Sequence, residues 1–254
     1  MNNTTNEFLK VKHTPADFAQ QLWDSGQMLL AAGRYVAARR ELEAAERQAF
    51  FKRDAALLAR IYLPLLEAAR QIRQFCCDGV IAITPGTTPD HRVALREVFN
   101  SGGVWLDMRA LNMNRPVASS MPADVPVETL RILKHKMHWH ITTQWREKLP
   151  GPRPRGIPVL WTRDAKKFIV PAQPESLVAV LPVPGIYHPG NPHHAQARET
   201  LFLTFEALAL GWLARQTPKS GGWEELALLR RARKIDPACE TILMRMISVA
   251  QGLI

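Results

Sequence analysis

The sequence predicts a mixed α+β fold, with helical hairpins at both ends flanking a proline-rich α/β middle segment that carries a small sheet. Three observations predict it. Apolar residues recur at spacings of three and four near both ends of the chain. Thirteen of the 19 prolines fall between Pro116 and Pro192, where they would break helices. Short apolar runs between turn residues lie in that same middle region. The expected division is a loosely ordered N-terminus (1–13), a helical segment (14–77), an α/β segment (78–190) and a second helical segment (191–254).

Thr14-Pro15 caps and opens the first helix, which runs to about Ala32, with Phe18, Leu22, Leu29 and Met28 or Trp23 turned inward. Gly33 ends it. A second helix over Tyr35–Phe50 places Ala38, Leu42 and Ala45 on one face. A third, from Asp54 to Gln74, keeps the helical period through Leu58, Ile61, Leu65, Leu66, Ala69 and Ile72, with a kink expected at Pro64.

Gly79–Ile83 and Val104–Met108 read as strands on either side of a helix that Thr88-Pro89 opens and Gly102-Gly103 ends. Glu128–Leu149 has Leu130, Leu133, Met137, Ile141 and Trp145 at helical spacing, which predicts an amphipathic helix. Further strands are expected at Val159–Thr162, Lys167–Val170 and Leu177–Val183. Asn191-Pro192 opens a helix to about Arg215, Trp223–Lys234 forms another, and Asp236-Pro237 separates it from the last, over Cys239–Gln251.

The first hairpin has a specific pattern. Leu22, Gly26, Gly33, Tyr35, Ala38, Leu42 and Ala45 alternate small and large residues where two helices must approach closely. The segment resembles a tetratricopeptide repeat. At the other end Leu210-Gly211, Trp223, Ala232 and Ile235-Asp236-Pro237 resemble the same repeat, with a longer loop and one residue fewer between Trp223 and Ala232. The resemblance implies protein binding. It places Trp23, Gln27 and Leu30 on the groove-lining side of the first helix as candidate peptide contacts. One such hairpin cannot cover its own apolar face, and about three stacked units are normally needed. The two ends must therefore pack on each other, on the middle segment, or on a second chain.

Composition sets further bounds. The chain has 254 residues, 46% of them apolar, and a net charge of +10, which suits a folded protein with a basic surface. Its longest apolar stretch, Leu177–Tyr187, is interrupted by Pro182 and Pro184, so no membrane span is expected. Met1–Thr14 lacks the apolar core of a secretory signal. Cys76, Cys77 and Cys239 are too few and too badly spaced for a disulfide framework or a zinc site, which favours a cytoplasmic protein.

Arg131 to Lys167 carries ten Lys or Arg against Glu147 and Asp164, with Trp139, Trp145 and Trp161 interleaved. Arg153, Arg155, Arg163, Lys166 and Lys167 are therefore the candidate contacts of an alternative, nucleic-acid-associated reading. His135, His138 and His140 do not converge on a metal: on a helix His140 lies roughly 200° around from His138, and on a strand His138 and His140 share a face while His135 points away. His188, His193 and His194 fit a turn and helix start. Thr84–Asp90 lacks the glycine spacing of a phosphate loop. No motif implies a catalytic residue, a metal or a cofactor. An enzyme of unrecognised type is the third reading, after protein interaction and nucleic-acid association.

Overall fold

The computed structural model describes residues 15–85, 89–108, 124–135, 138–143, 156–162, 177–216 and 221–254. The chain begins with three helices, α1 (Pro15–Ala31), α2 (Tyr35–Phe51) and α3 (Ala55–Asp78). Strand β1 (Val80–Pro85), helix α4 (Pro89–Ser101) and strand β2 (Gly103–Met108) follow. Five more strands complete the middle: β3 (Val127–His135), β4 (His138–Thr143), β5 (Ile157–Thr162), β6 (Ala179–Pro182) and β7 (Gly185–Tyr187). Helices α5 (Pro192–Leu213), α6 (Gly222–Arg233) and α7 (Glu240–Gln251) end the chain.

Each turn between the first helices is closed by backbone bonds that satisfy orphan carbonyls. Gly33 takes a left-handed conformation (φ 71°), and Arg34 N–H reaches Leu29 O at 2.9 Å. Arg53 takes the same conformation (φ 55°), with Asp54 N–H on Ala49 O at 2.9 Å. The Asp54 side chain then caps α3 by accepting from Leu57 N–H. Helix α3 runs unbroken through Pro64.

The α1–α2 crossing depends on Gly26. A Cβ there would sit 2.7 Å from Leu42 Cγ, and Leu42 is fully buried. Gly26→Ala gains helix propensity but must push Leu42 out of place. We expect a net loss of about 1–2 kcal/mol in chemical denaturation, since overpacking a filled core costs about 1–3. That crossing also sets the rotation of α1. Ala19 and Gly26 are buried at this crossing, so Phe18, expected inside, is exposed; of the alternatives Met28 and Trp23, Met28 is exposed and Trp23 is half-buried against the core with Leu22, Leu29 and Leu30.

The strands form one seven-stranded mixed sheet that curls into a half-barrel, in the order β6-β5-β4-β3-β2-β1-β7. Neighbours β1–β2, β2–β3 and β5–β6 run parallel; β3–β4, β4–β5 and β1–β7 run antiparallel. One face supplies Ile81, Ile83, Val104, Leu106, Leu130, Ile132, Ile141 and Leu181 to the core shared with the helices. Helix α4 covers Val80, Ala82 and Trp105 on the other face, where Trp105 Nε1–H donates to Thr84 Oγ1 at 3.0 Å.

Among the described residues of the helix expected over Glu128–Leu149, strands form instead: β3 and β4 occupy residues 127–135 and 138–143. Two periods coexist in that stretch. Leu130, Leu133, Met137 and Ile141 fit a helix, but Leu130-Ile132 and Trp139-Ile141 also alternate as strands do. Long-range pairing decides between them: Leu106 pairs with Leu130, Ile132 with Ile141, and Ile141 with Ile157. The strand expected at Lys167–Val170 lies outside the described residues. Leu177–Val183 contributes the shorter β6, and β7 was not anticipated.

The two helical ends meet. Helix α1 packs on α2, α2 on α3, α3 on α7, and α7 on α6. Leu42 and Leu229 are buried, and Leu22 and Leu210 are half-buried against the same core. A stack interrupted in sequence by the α/β segment is thus continuous in space. Among the described residues no helix is long and apolar enough to cross a membrane.

Candidate functional site

Helix α3 is enclosed on nearly all sides. Its exposed positions Ala56, Arg60, Leu63, Glu67, Arg70, Gln74 and Asp78 recur every three or four residues and form a ridge, with Phe75 exposed beside Gln74. Leu63 on that ridge is 59% exposed. At its N-terminal end the ridge meets α1, where the Arg60 guanidinium lies 4.1 Å from the Trp23 ring centroid and 3.4 Å from Gln20 Oε1.

At its other end the ridge opens into a cleft of about 520 Å³, walled by α3, α5 and the α6–α7 connection. Glu67, Arg70, Gln71 and Gln74 line it from α3. Arg198, Phe202 and Glu206 line it from α5, and Asp236, Cys239 and Glu240 from the connection and the start of α7.

Arg73 forms the floor. Its Nε donates to both Glu128 oxygens at 3.0 and 2.9 Å, and its Nη2 donates to Asp236 Oδ1 at 2.7 Å. The guanidinium also stacks 3.7 Å from the Phe205 ring centroid. Burial alone would depress its pKa. The carboxylates of Glu128 and Asp236 outweigh that and hold it above the ordinary arginine value. One side chain thereby ties α3 to β3 and to the α6–α7 connection. Asp236 also accepts from Ala238 N–H at 3.0 Å, so the turn into α7 depends on the same carboxylate.

A second buried charge lies deeper in the stack. Glu46 of α2, 1% exposed, accepts from Arg230 Nε and from Arg230 Nη2, the latter at 2.9 Å, with Arg233 Nη2 3.7 Å away. The Arg230 guanidinium covers Phe50 at 3.8 Å, and Phe50 meets Trp223 edge to face. Burial, and then the Glu46 charge, push the neighbouring Tyr62 hydroxyl far above its usual pKa.

The cleft rim is softer. Arg70 lies 3.6 Å from Glu240, with both side chains more than half exposed. Arg198 Nε is 2.8 Å from Asp78 Oδ1 without the angle of a hydrogen bond. Glu67 accepts from Gln71 Nε2 at 2.8 Å, and Glu206 from the Thr241 hydroxyl at 3.3 Å. Such exposed contacts are worth about 0–1 kcal/mol each, so they can exchange for a ligand's groups.

Burial disfavours the thiolate form of the cysteine on the cleft wall. Burial pushes Cys239 up to about 12, and Cys77 up to about 12 within α3; Cys76 is raised as well, and all three are buried and reduced. The cleft therefore presents paired charge and hydrogen-bonding groups.

Of the candidate peptide contacts, Trp23 meets this surface at Arg60. Trp23, Gln27 and Leu30 are half-buried, and the Trp23 Nε1 is buried with no hydrogen-bond partner. Arg153, Arg155, Arg163, Lys166 and Lys167 lie outside the described residues.

The backbone register sets His135 opposite His138 and His140 opposite Leu133 on β3 and β4, so of the two geometries weighed for them the strand is the one formed. Asn191 caps α5 by accepting from His193 N–H, as its sequence suggests. His194 Nε2 lies 2.6 Å from Gly79 O and pins the start of α5 to the end of α3, while His188 is exposed.

The sequence reading missed Arg73, Glu128, Asp236 and Glu46. A signal existed for two of them. Arg73 follows Ile72 on the inward side of α3, and Glu46 follows Ala45 beside the Ala38-Leu42-Ala49 face. A charge set within an apolar stripe marks a buried pair.

Comparison of the chain with protein-family models, with curated proteins and with solved structures gives no match.

Proposed function

We propose that the protein is a non-catalytic interaction or scaffolding module that binds another protein along the α3 ridge, in the manner of tetratricopeptide-like helices. One observation carries the reading. The ridge is continuous from Arg60, beside the groove residue Trp23, through the exposed Leu63 to the cleft at Glu67–Gln74. Such a line on a rigid central helix offers an apolar anchor flanked by exchangeable polar contacts, the usual anatomy of a docking surface. The buried ion pairs beneath it hold the helices in place, so the surface is preformed.

Site-specific photo-crosslinking in cells tests the proposal. A benzophenone side chain placed at Leu63 or Arg70 is expected to give a discrete adduct with one protein. The same group at Gln48, exposed on α2, is expected to give none. Adducts that are absent at Leu63, or equally abundant at all three positions, would contradict the proposal.

A further inference from the structure

We infer that the partner segment seated in the cleft is basic, a peptide that delivers an arginine or lysine side chain between Glu67 and Glu206. The inference rests on the α3 ridge being a docking surface, and it follows from charge complementarity. The chain as a whole is strongly positive, at +10, yet the cleft is lined by four carboxylates, Glu67, Glu206, Asp236 and Glu240, against three guanidiniums, Arg70, Arg73 and Arg198.

Those guanidiniums are already engaged. Arg73 holds Asp236 and, behind the lining, Glu128; Arg70 faces Glu240; Arg198 faces Asp78. Glu67 and Glu206 differ from the other carboxylates. Among the described residues their partners are neutral, the Gln71 amide and the Thr241 hydroxyl, and no Lys, Arg or His lies within ion-pair reach of either. Both are exposed, and they stand on different walls of the cleft.

Phe202 adds a ring at 36% exposure on the α5 wall, already approached by Arg198 at 5.3 Å. An entering cation gains two carboxylates and an aromatic face. An entering carboxylate meets two like charges and reaches a guanidinium only by displacing Glu240 from Arg70 or Asp78 from Arg198. The positive charge elsewhere on the molecule does not reverse this preference, because exposed charges are screened beyond about 8–10 Å at physiological salt.

The probe is a random dodecapeptide phage library selected on the immobilised full chain. Enriched peptides are then titrated by fluorescence anisotropy against the wild type, Glu67→Lys/Glu206→Lys and Leu63→Ser. All three changes are at exposed positions, and thermal melts confirm that each variant folds.

The expected result is enrichment of Arg or Lys. Affinity should fall with added salt and weaken at least roughly tenfold in the double charge variant. Peptides without a cation, bound equally by the charge variant but lost in Leu63→Ser, would overturn the basic specificity and leave the docking surface standing. No enriched peptide, or binding indifferent to all three substitutions, would overturn both. Concentration-dependent self-association abolished by Glu67→Lys/Glu206→Lys would make a second copy the occupant and overturn the inference.

Discussion

Arg73→Met should destabilise the fold by about 3–5 kcal/mol in urea unfolding, the largest single-residue effect expected in this chain. The substitution keeps most of the apolar stem and removes only the charged head. What it leaves behind sets the cost. Glu128 and Asp236 would remain in the positions they occupy now, with side chains 11% and 1% exposed, and neither would have a cation. An unpaired buried carboxylate must either ionise without solvent or take up a proton, and both are unfavourable. Adding Glu128→Leu to Arg73→Met removes one of the two stranded charges and should recover part of the loss. A change below about 1 kcal/mol for Arg73→Met alone would mean that the triad is solvated and exerts no hold on the three elements it joins.

Glu46→Ala is expected to cost about 3 kcal/mol, for the mirror-image reason. Here one buried carboxylate serves two cations from α6. Without it Arg233, 8% exposed, loses its deepest partner, and Arg230 loses a bidentate contact while keeping its stacking on Phe50. The pairing can be isolated by a double-mutant cycle. Glu46→Ala and Arg230→Ala should couple by at least about 1 kcal/mol in thermal or urea unfolding. Strict additivity would show that α2 and α6 are held by apolar packing alone.

The helices were largely legible in the sequence because their signals are local. Caps at Asn191 and Asp54, the turn glycine Gly33 and the regular recurrence of Leu58, Ile61, Leu65 and Ile72 each act within a few residues, so no knowledge of the rest of the chain is needed. The β3–β4 hairpin was misread because its information is not local. Leu130 through Ile141 satisfies two periods, and only the strands on either side, brought in by the parallel β2 and the antiparallel β5, select one of them.

The close approach of Gly26 to Leu42 was foreseen from small and large residues in register. The exposure of Phe18 was not, nor was the choice of Trp23 over Met28 made, because a shift of one residue in the inward face depends on the angle at which α2 crosses. The cleft had no local signature beyond the charge of Arg73 set within the apolar stripe of α3. Arg73 is separated by 163 residues from Asp236 and by 55 from Glu128, so their meeting depends on α7 returning to α3 after the whole α/β segment.

That return is the central claim: the first three helices and the last two are one cooperative stack, each covering an apolar face the other cannot cover alone. Hydrogen exchange on the full chain carrying Met246→Ala tests it most directly. Met246 is fully buried in α7, and its truncation should cost about 2–5 kcal/mol. If the stack opens as a unit, amides at Leu58, Ile61 and Leu65 in α3 lose as much protection as those of α7 itself. Protection lost in α6 and α7 alone, with α3 unchanged, would show two blocks that merely touch, and would contradict the account.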